Sequence, residues 1–272
     1  MAETKLDYIK WDMNRPLTEV YSAALPYDRQ GEVFHRYVLG VYDLYDRLTK
    51  RFPEVLFESC ASGGARFDAG LLYYAPQAWT SDDSDAIERL KIQYGTSYGY
   101  PITSMGAHVS AVPNHQLNRI TSIDTRANAA MYGTFGYELD LNLLSDEEIE
   151  KVKSQIEFMK ANRELLQQGE FYRILSPFKG NETEWICVSQ DKKHAIAAWF
   201  RVLNVVNGPV KKIKFKGLDE DTLYKVTGIE GTFYGDELME IGVPEAESMD
   251  DHGHINTFDY MSRLYEIHAV PM

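Results

Sequence analysis

Short apolar runs and amphipathic helical stretches alternate along the first two-thirds of the chain, and the alternation stops near Glu170. Tyr8-Ile9-Lys10-Trp11, ahead of Asp12, reads as a strand opening into a loop. From about Glu32 to Arg51, the apolar positions Val33, Tyr37, Val41, Leu44 and Leu48 recur at three- and four-residue spacing, which predicts a helix. Pro53 punctuates it. Val55-Leu56-Phe57-Glu58 then reads as a second strand, opening into Ser59-Cys60-Ala61-Ser62-Gly63-Gly64. A third run, Gln77-Ala78-Trp79-Thr80, leads to Asp82, and Asp85 to Leu90 begins a helix with an acidic first turn. Ile102 to Val109 and Thr134 to Asp140 are further strand candidates, with helical spacing over 118–130 between them. Ser145-Asp146-Glu147-Glu148 has the form of a capping box and opens a helix to about Gln168. Repeated strand–loop–helix units with short connections predict a parallel α/β sheet, closed or open.

Beyond Glu170 the signals become strand runs separated by Gly and Asp turns: Trp185 to Val188, Ala195 to Val202, Lys212 to Phe215 and Leu264 to Val270. The expected organisation is therefore an α/β domain over 1–169 and a small antiparallel β domain over 170–272. About five strand–loop units precede the tail, where a complete (β/α)₈ barrel has eight. Asp12 follows only eleven residues, so the sheet is expected to be a smaller open one or an incomplete barrel.

Composition narrows the partners more than the chemistry. The 272 residues are 44% hydrophobic and 12% aromatic, enough for a sizeable core. The net charge of −13 disfavours nucleic acid and anionic membranes, which are bound by clustered Lys and Arg. Cys60 and Cys187 lack CxxC neighbours and make no disulfide framework. The first residues have no apolar signal-type run, and a cytoplasmic location is the expectation.

Two aspartates stand where a barrel keeps its chemistry, at the carboxyl ends of strands. Asp12 alone would pass for a loop residue, but Lys10 lies two positions back on the same strand face, and Asn14 adds an amide suited to a sugar hydroxyl. A cation so placed favours an ionised carboxylate, as a nucleophile requires. In Ser81-Asp82-Asp83-Ser84-Asp85, either Ser84 or Asp85 can cap the following helix and Asp83 can be solvated. Mutual repulsion in a cleft walled by Trp79 would raise one of the carboxyls toward general-acid duty, and the spacing does not say which. Cys60 has no local His and reads as a thiol packed beside a ligand rather than as a nucleophile. Gly63 and Gly64 permit close backbone approach to a ligand, to which their amides can donate. Asp250-Asp251-His252-Gly253-His254 has metal-ligand residue types but reads as a solvated hairpin, and His108 and His115 are as suited to packing as to a cleft.

Three segments, Tyr8 to Arg15, Glu58 to Asp68 and Trp79 to Arg89, resemble α-galactosidases of glycoside hydrolase family 36 in residues, order and spacing. The resemblance implies part of a (β/α)₈ barrel followed by a C-terminal antiparallel β-sandwich domain. It places the nucleophile on Asp12 and the general acid/base on Asp82, with galactose-binding positions on Lys10, Asn14, Cys60 and Gly63; Trp11 is counted with them. The implied reaction is retaining hydrolysis of terminal α-galactosides such as melibiose or raffinose, without metal or organic cofactor. Family members carry a β domain and three barrel strands ahead of the first motif, so the chain is expected to be inactive alone and to need an N-terminal half, or to associate with a second copy. The alternatives are α-N-acetylgalactosaminide hydrolysis, galactosyl transfer, or a non-catalytic carbohydrate-binding remnant.

Overall fold

A computed structural model describes residues 3–14, 18–205, 211–245 and 258–271. It contains two compact units, Met1–Asp82 with Ser104–Gly106, and Asp83–Thr103 with Ala107–Met272.

The first unit holds β1 (Tyr8–Asp12), α1 (Val33–Arg51), β2 (Leu56–Cys60) and β3 (Gln77–Ala78). The strands are parallel in the order β1-β2-β3, with Asp12 opposite Cys60 and Ser59 opposite Ala78. One face of this sheet is apolar: Phe57 and the partly buried Ile9 and Trp11 pack on Tyr45, Val41 and Leu48 of α1, and on Leu71 and Ala75. Of the predicted helical positions, Val41 and Leu48 reach this core, whereas Leu44 remains 41% exposed. The third strand is shorter than its apolar run, although the Trp79 N–H still bonds the Ser59 carbonyl at 3.0 Å. Among the described residues β1 pairs with β2 alone.

The second unit contains α2 (Ala86–Thr96), most of β4 (Gly106–Ser110), α3 (Ile123–Ala130), β5 (Thr134–Glu138) and α4 (Asp146–Gln168). Cap chemistry fixes the helix starts. Asp85 accepts from the Ile87 and Glu88 N–H groups at 3.0 and 3.1 Å, Ser122 caps α3, and Ser145 and Glu148 form the reciprocal box that opens α4. The helical spacing over 118–130 becomes helix only from Ile123. Asn118 sits at φ +53°, and Asn114 Oδ1 turns the preceding backbone by accepting from Gln116 and Leu117.

The tail builds β6 (Glu170–Leu175), β7 (Glu182–Val188), β8 (His194–Arg201), β9 (Lys212–Ile213), β10 (Leu223–Val226), β11 (Phe233–Tyr234), β12 (Val243–Pro244) and β13 (Met261–Ala269). Six form an antiparallel sheet in the order β11-β10-β13-β8-β7-β6, and β12 pairs with β9. Ile186, Trp199, Phe215, Tyr224 and Tyr265 share one core. On the opposite side the Tyr132 hydroxyl donates to the Ile196 carbonyl at 2.8 Å, its ring lies 5.3 Å from that of Trp185, and the Cys187 thiol faces the Leu166 carbonyl of α4. Cover on both faces explains why β7 and β8 read as unbroken apolar runs rather than alternating ones.

Candidate active site

Strand alternation divides β1 into two chemistries. Ile9 and Trp11 face the core, and the Trp11 ring lies 4.7 Å from that of Tyr45. Trp11, expected among the sugar-binding residues, is thereby turned away from the face that carries Lys10 and Asp12. The register sets Lys10 opposite Glu58 and Asp12 opposite Cys60, so four functional groups share the polar face.

Asp12 is exposed at the strand end, and Asn14 Nδ2 donates to its Oδ2 at 2.9 Å. The Ser62 N–H, on a residue at φ +49°, holds Asn14 Oδ1 at 2.8 Å. The Met13 N–H bonds the Cys60 carbonyl at 3.1 Å, tying the β1 exit to the end of β2. Desolvation acts to raise the Asp12 carboxyl. Hydrogen bonding from Cys60, Asn14 and the Ser62 backbone, with the charge of Lys10, outweighs it and leaves the pKa below its ordinary value. The expected influence of Lys10 is therefore present, but most of the effect comes from hydrogen-bond donors. Burial, against a smaller lowering from the Gly63 backbone, pushes the Cys60 thiol up to about 11. A thiol protonated at neutral pH is a poor nucleophile, consistent with its reading as a packed group.

Glu58 organises the floor of the site. It is buried, accepts from the Tyr8 hydroxyl and from Gln77 Nε2 at 3.1 Å, and its Oε1 lies 3.9 Å from Lys10 Nζ. Lys10 also sits over the Trp79 ring, 4.8 Å from its centroid. Arg66 reaches the Cys60 carbonyl at 2.9 Å and the Tyr37 hydroxyl at 3.3 Å. Neither Glu58 nor Arg66 stands out in the sequence as a functional group. The available signal was alternation, which puts Glu58 beside Lys10 once the two strands pair.

The two glycines after β2 serve the chain itself. A Cβ on Gly63, at φ +75°, would lie 2.6 Å from Ser81 Cα and 2.9 Å from the Asp82 nitrogen; one on Gly64 would lie 2.7 Å from the Thr80 carbonyl oxygen. The loop after β2 is thus in backbone contact with the segment that carries Asp82. Gly63→Ala is expected to cost roughly 1–3 kcal/mol through clash and strain at positive φ. The control is Gly40→Ala in α1, where a Cβ meets nothing within 4 Å and the change should be neutral or favourable. Denaturant midpoints of the two variants check this.

Two of the three aspartates in the acidic turn are engaged by the surrounding chain. Asp83 accepts from the Asp85 N–H at 3.0 Å and acts electrostatically on Arg89, while Asp85 caps α2 and bonds Arg119. Asp82 is exposed, and its carboxylate has no hydrogen bond or ion pair among the described residues. His108 Nδ1 lies 2.7 Å from Glu138, and His115 is exposed. The segment Asp250 to His254 lies outside the described residues.

A parallel sheet with carboxylates beyond its strand ends, followed by an antiparallel β domain, agrees with the α/β glycoside hydrolase fold of the proteins this chain matches. The family model described as Melibiase matches residues 1–169, and that of the glycosyl hydrolase family 36 C-terminal domain matches residues 182–267. The chain belongs to glycoside hydrolase family 36. It is 55% identical over 272 residues to the α-galactosidase AgaA of Geobacillus stearothermophilus, covering 99% of this chain and 36% of that one. It is 46% identical over 270 residues to α-galactosidase 1 of Pediococcus pentosaceus, with the same shares. A crystal structure of an AgaA variant with raffinose superposes with a TM-score of 0.90 at 51% identity, over 97% of this chain and 35% of that one. For a second AgaA variant, with stachyose, the TM-score is 0.92 at 50% identity, over 99% and 36%. Each of those variants has a different aspartate replaced, and the two positions are 70 residues apart. The chain spans about a third of the length of the relatives it matches.

Proposed function

We propose that this chain carries the catalytic carboxylates of a retaining α-galactosidase and forms part of a (β/α)₈ barrel. The observation that carries the reading is Asp12, held as an anion by donors on its own polar strand face while the adjoining loop packs on the backbone of Asp82. Asp12 and Asp82 are also 70 residues apart, the interval between the aspartates replaced in the raffinose- and stachyose-bound relatives. In this reading Asp12 attacks the anomeric carbon while Asp82 protonates the departing oxygen. The resulting β-linked galactosyl ester is cleaved by water that Asp82 deprotonates. Lys10 and Asn14 face the sugar hydroxyls. Cys60 contributes a protonated thiol to the pocket wall, and Gly63 sets the spacing between the loops. The substrates are raffinose-type α-galactosides.

The role of Asp82 is tested by leaving-group dependence. Asp82→Ala should slow natural galactosides far more than activated aryl galactosides, whose leaving groups need little protonation, whereas Asp83→Ala should not discriminate. Equal loss on both substrate types, with the selective pattern at Asp83, would reassign the acid/base.

We further infer that the chain by itself turns over slowly. β1 has an open edge among the described residues, with Leu6 and Tyr8 39% and 44% exposed beside it. A sugar misplaced by about 1 Å can lose ~10²-fold in rate. Hydrolysis of an aryl α-galactoside by the purified 272-residue chain, set against its Asp12→Ala control, should be slight. Turnover matching a full-length relative would refute this.

A further inference from the structure

The strongest unassigned feature lies in the six-stranded sheet of the second unit, where β8 and β13 set His194 directly opposite His268. Glu266 lies two residues before His268 and so projects from the same face. Ligand atoms of all three side chains fall within 4.8 Å of one another. Nε2 of each histidine is 3.3 Å from the same oxygen, Oε1 of Glu266. The rings are stacked, 4.1 Å between centroids and 18° between planes.

Two observations set this cluster apart from an ordinary surface ion pair. The His194 Nε2 atom is buried and meets the shared carboxylate oxygen only at 3.3 Å. Donors in a settled His–carboxylate hydrogen bond approach to about 2.7–2.9 Å; here two nitrogens stop short of one oxygen. The separation instead matches the edge of a tetrahedral site. Ligands about 2.0–2.1 Å from zinc at tetrahedral angles lie roughly 3.3 Å from one another.

The chemistry of the donors agrees with the geometry. Two imidazoles and one carboxylate form a borderline set suited to zinc and similar divalent transition ions, with a fourth position left for water. Side-chain exposures of 26% for His194, 29% for Glu266 and 52% for His268 leave a path for an ion from solvent. The charges facing the cluster are Asp191, which acts on His194, and Lys225, opposite His268 on β10 and exposed. All three ligands stand on paired, interior strands of one sheet, so binding needs the stacked imidazole rings to turn until their in-plane lone pairs converge, and little movement of the backbone.

We infer that His194, Glu266 and His268 form a zinc-type site that pins β13 to β8, independent of the carbohydrate chemistry. The test is titration of the metal-stripped chain with Zn²⁺, followed by calorimetry and thermal unfolding. Tetrahedral Co²⁺, read by its visible absorption, serves as a second probe. The expected result is one equivalent bound, with Tm rising by about 5 °C at zinc a hundredfold above Kd and falling back with EDTA. His268→Ala, at a largely exposed position that should tolerate it, should abolish both the binding and the Co²⁺ band, and Glu266→Gln should weaken binding by about 10-fold or more. The inference is overturned if the wild-type chain binds no zinc at millimolar concentration. It is equally overturned if His268→Ala binds as tightly as wild type, or if binding is lost instead in His252→Ala or His254→Ala.

Discussion

Asp12→Ala is expected to abolish turnover of α-galactosides, by about 10³-fold or more, and azide is expected to restore cleavage with inversion at the anomeric carbon. The measurement is made with the chain in the context of the full length its relatives have, on an activated aryl α-galactoside. Azide enters the space vacated by the carboxylate and attacks from the same face, so the rescued product is the β-galactosyl azide. The geometry adds a pH signature. Desolvation acts to raise the Asp12 pKa, and donors from Cys60, Asn14 and Ser62, with Lys10, bring it below the ordinary carboxylate value. The acid limb of kcat/KM, which reports the free enzyme, should therefore lie below that of a simple aspartate. Asn14→Ala removes the amide that donates at 2.9 Å and should move that limb upward while preserving part of kcat. An unchanged limb in Asn14→Ala, or an Asp12→Ala variant that azide does not rescue, would contradict the assignment.

A second large effect is expected in the β domain. Glu184 lies on β7 opposite Trp199, is 1% exposed, and its Oε1 has no hydrogen-bond partner. Burial, and secondarily the charge of Glu182, push its carboxyl from 4.5 up to about 9. Because the folded pKa lies above the unfolded one, stability is fully present below pH 4.5 and is lost as pH rises toward 9. At pH 7 the loss is on the order of 3 kcal/mol, since each pH step of one above 4.5 removes about 1.4 kcal/mol. Glu184→Gln keeps the shape and removes the titration. Its denaturation midpoint should match that of the wild type near pH 4, exceed it at pH 7 and exceed it further at pH 9. Parallel pH profiles for the two proteins would show that Glu184 finds a partner for its charge.

What the sequence disclosed follows from how local each determinant is. The strand at Tyr8 to Asp12, the helix from Val33 and the capping box at Ser145 depend on residues within one or two turns of each other, and all three form as expected. Determinants that join distant segments were not legible. Glu58 becomes a site residue only when β2 pairs with β1, and Asp85 rather than Ser84 caps α2, with Arg119 arriving from another element. The glycines at 63 and 64 were readable as places of close approach, but the approaching group proved to be the backbone of residues 80–82. Trp11 could have been placed by period-2 alternation alone, which sets it on the face opposite to Lys10 and Asp12. Strands β6, β10 and β11 escaped notice because neighbours across the sheet, more than their own residues, make them strands.

The position of β13 in the six-stranded sheet bears on how the protein is made. β13, which follows β8 and β10 in sequence by many residues, lies in the interior of the sheet between them. As the chain leaves the ribosome, β8 and β10 emerge without the strand that joins them, and each exposes an unpaired backbone edge. Cooperative closure has to wait for β13 and for the entropy of closing a long loop. During that interval β7 and β8, apolar on both faces, expose surface prone to aggregation.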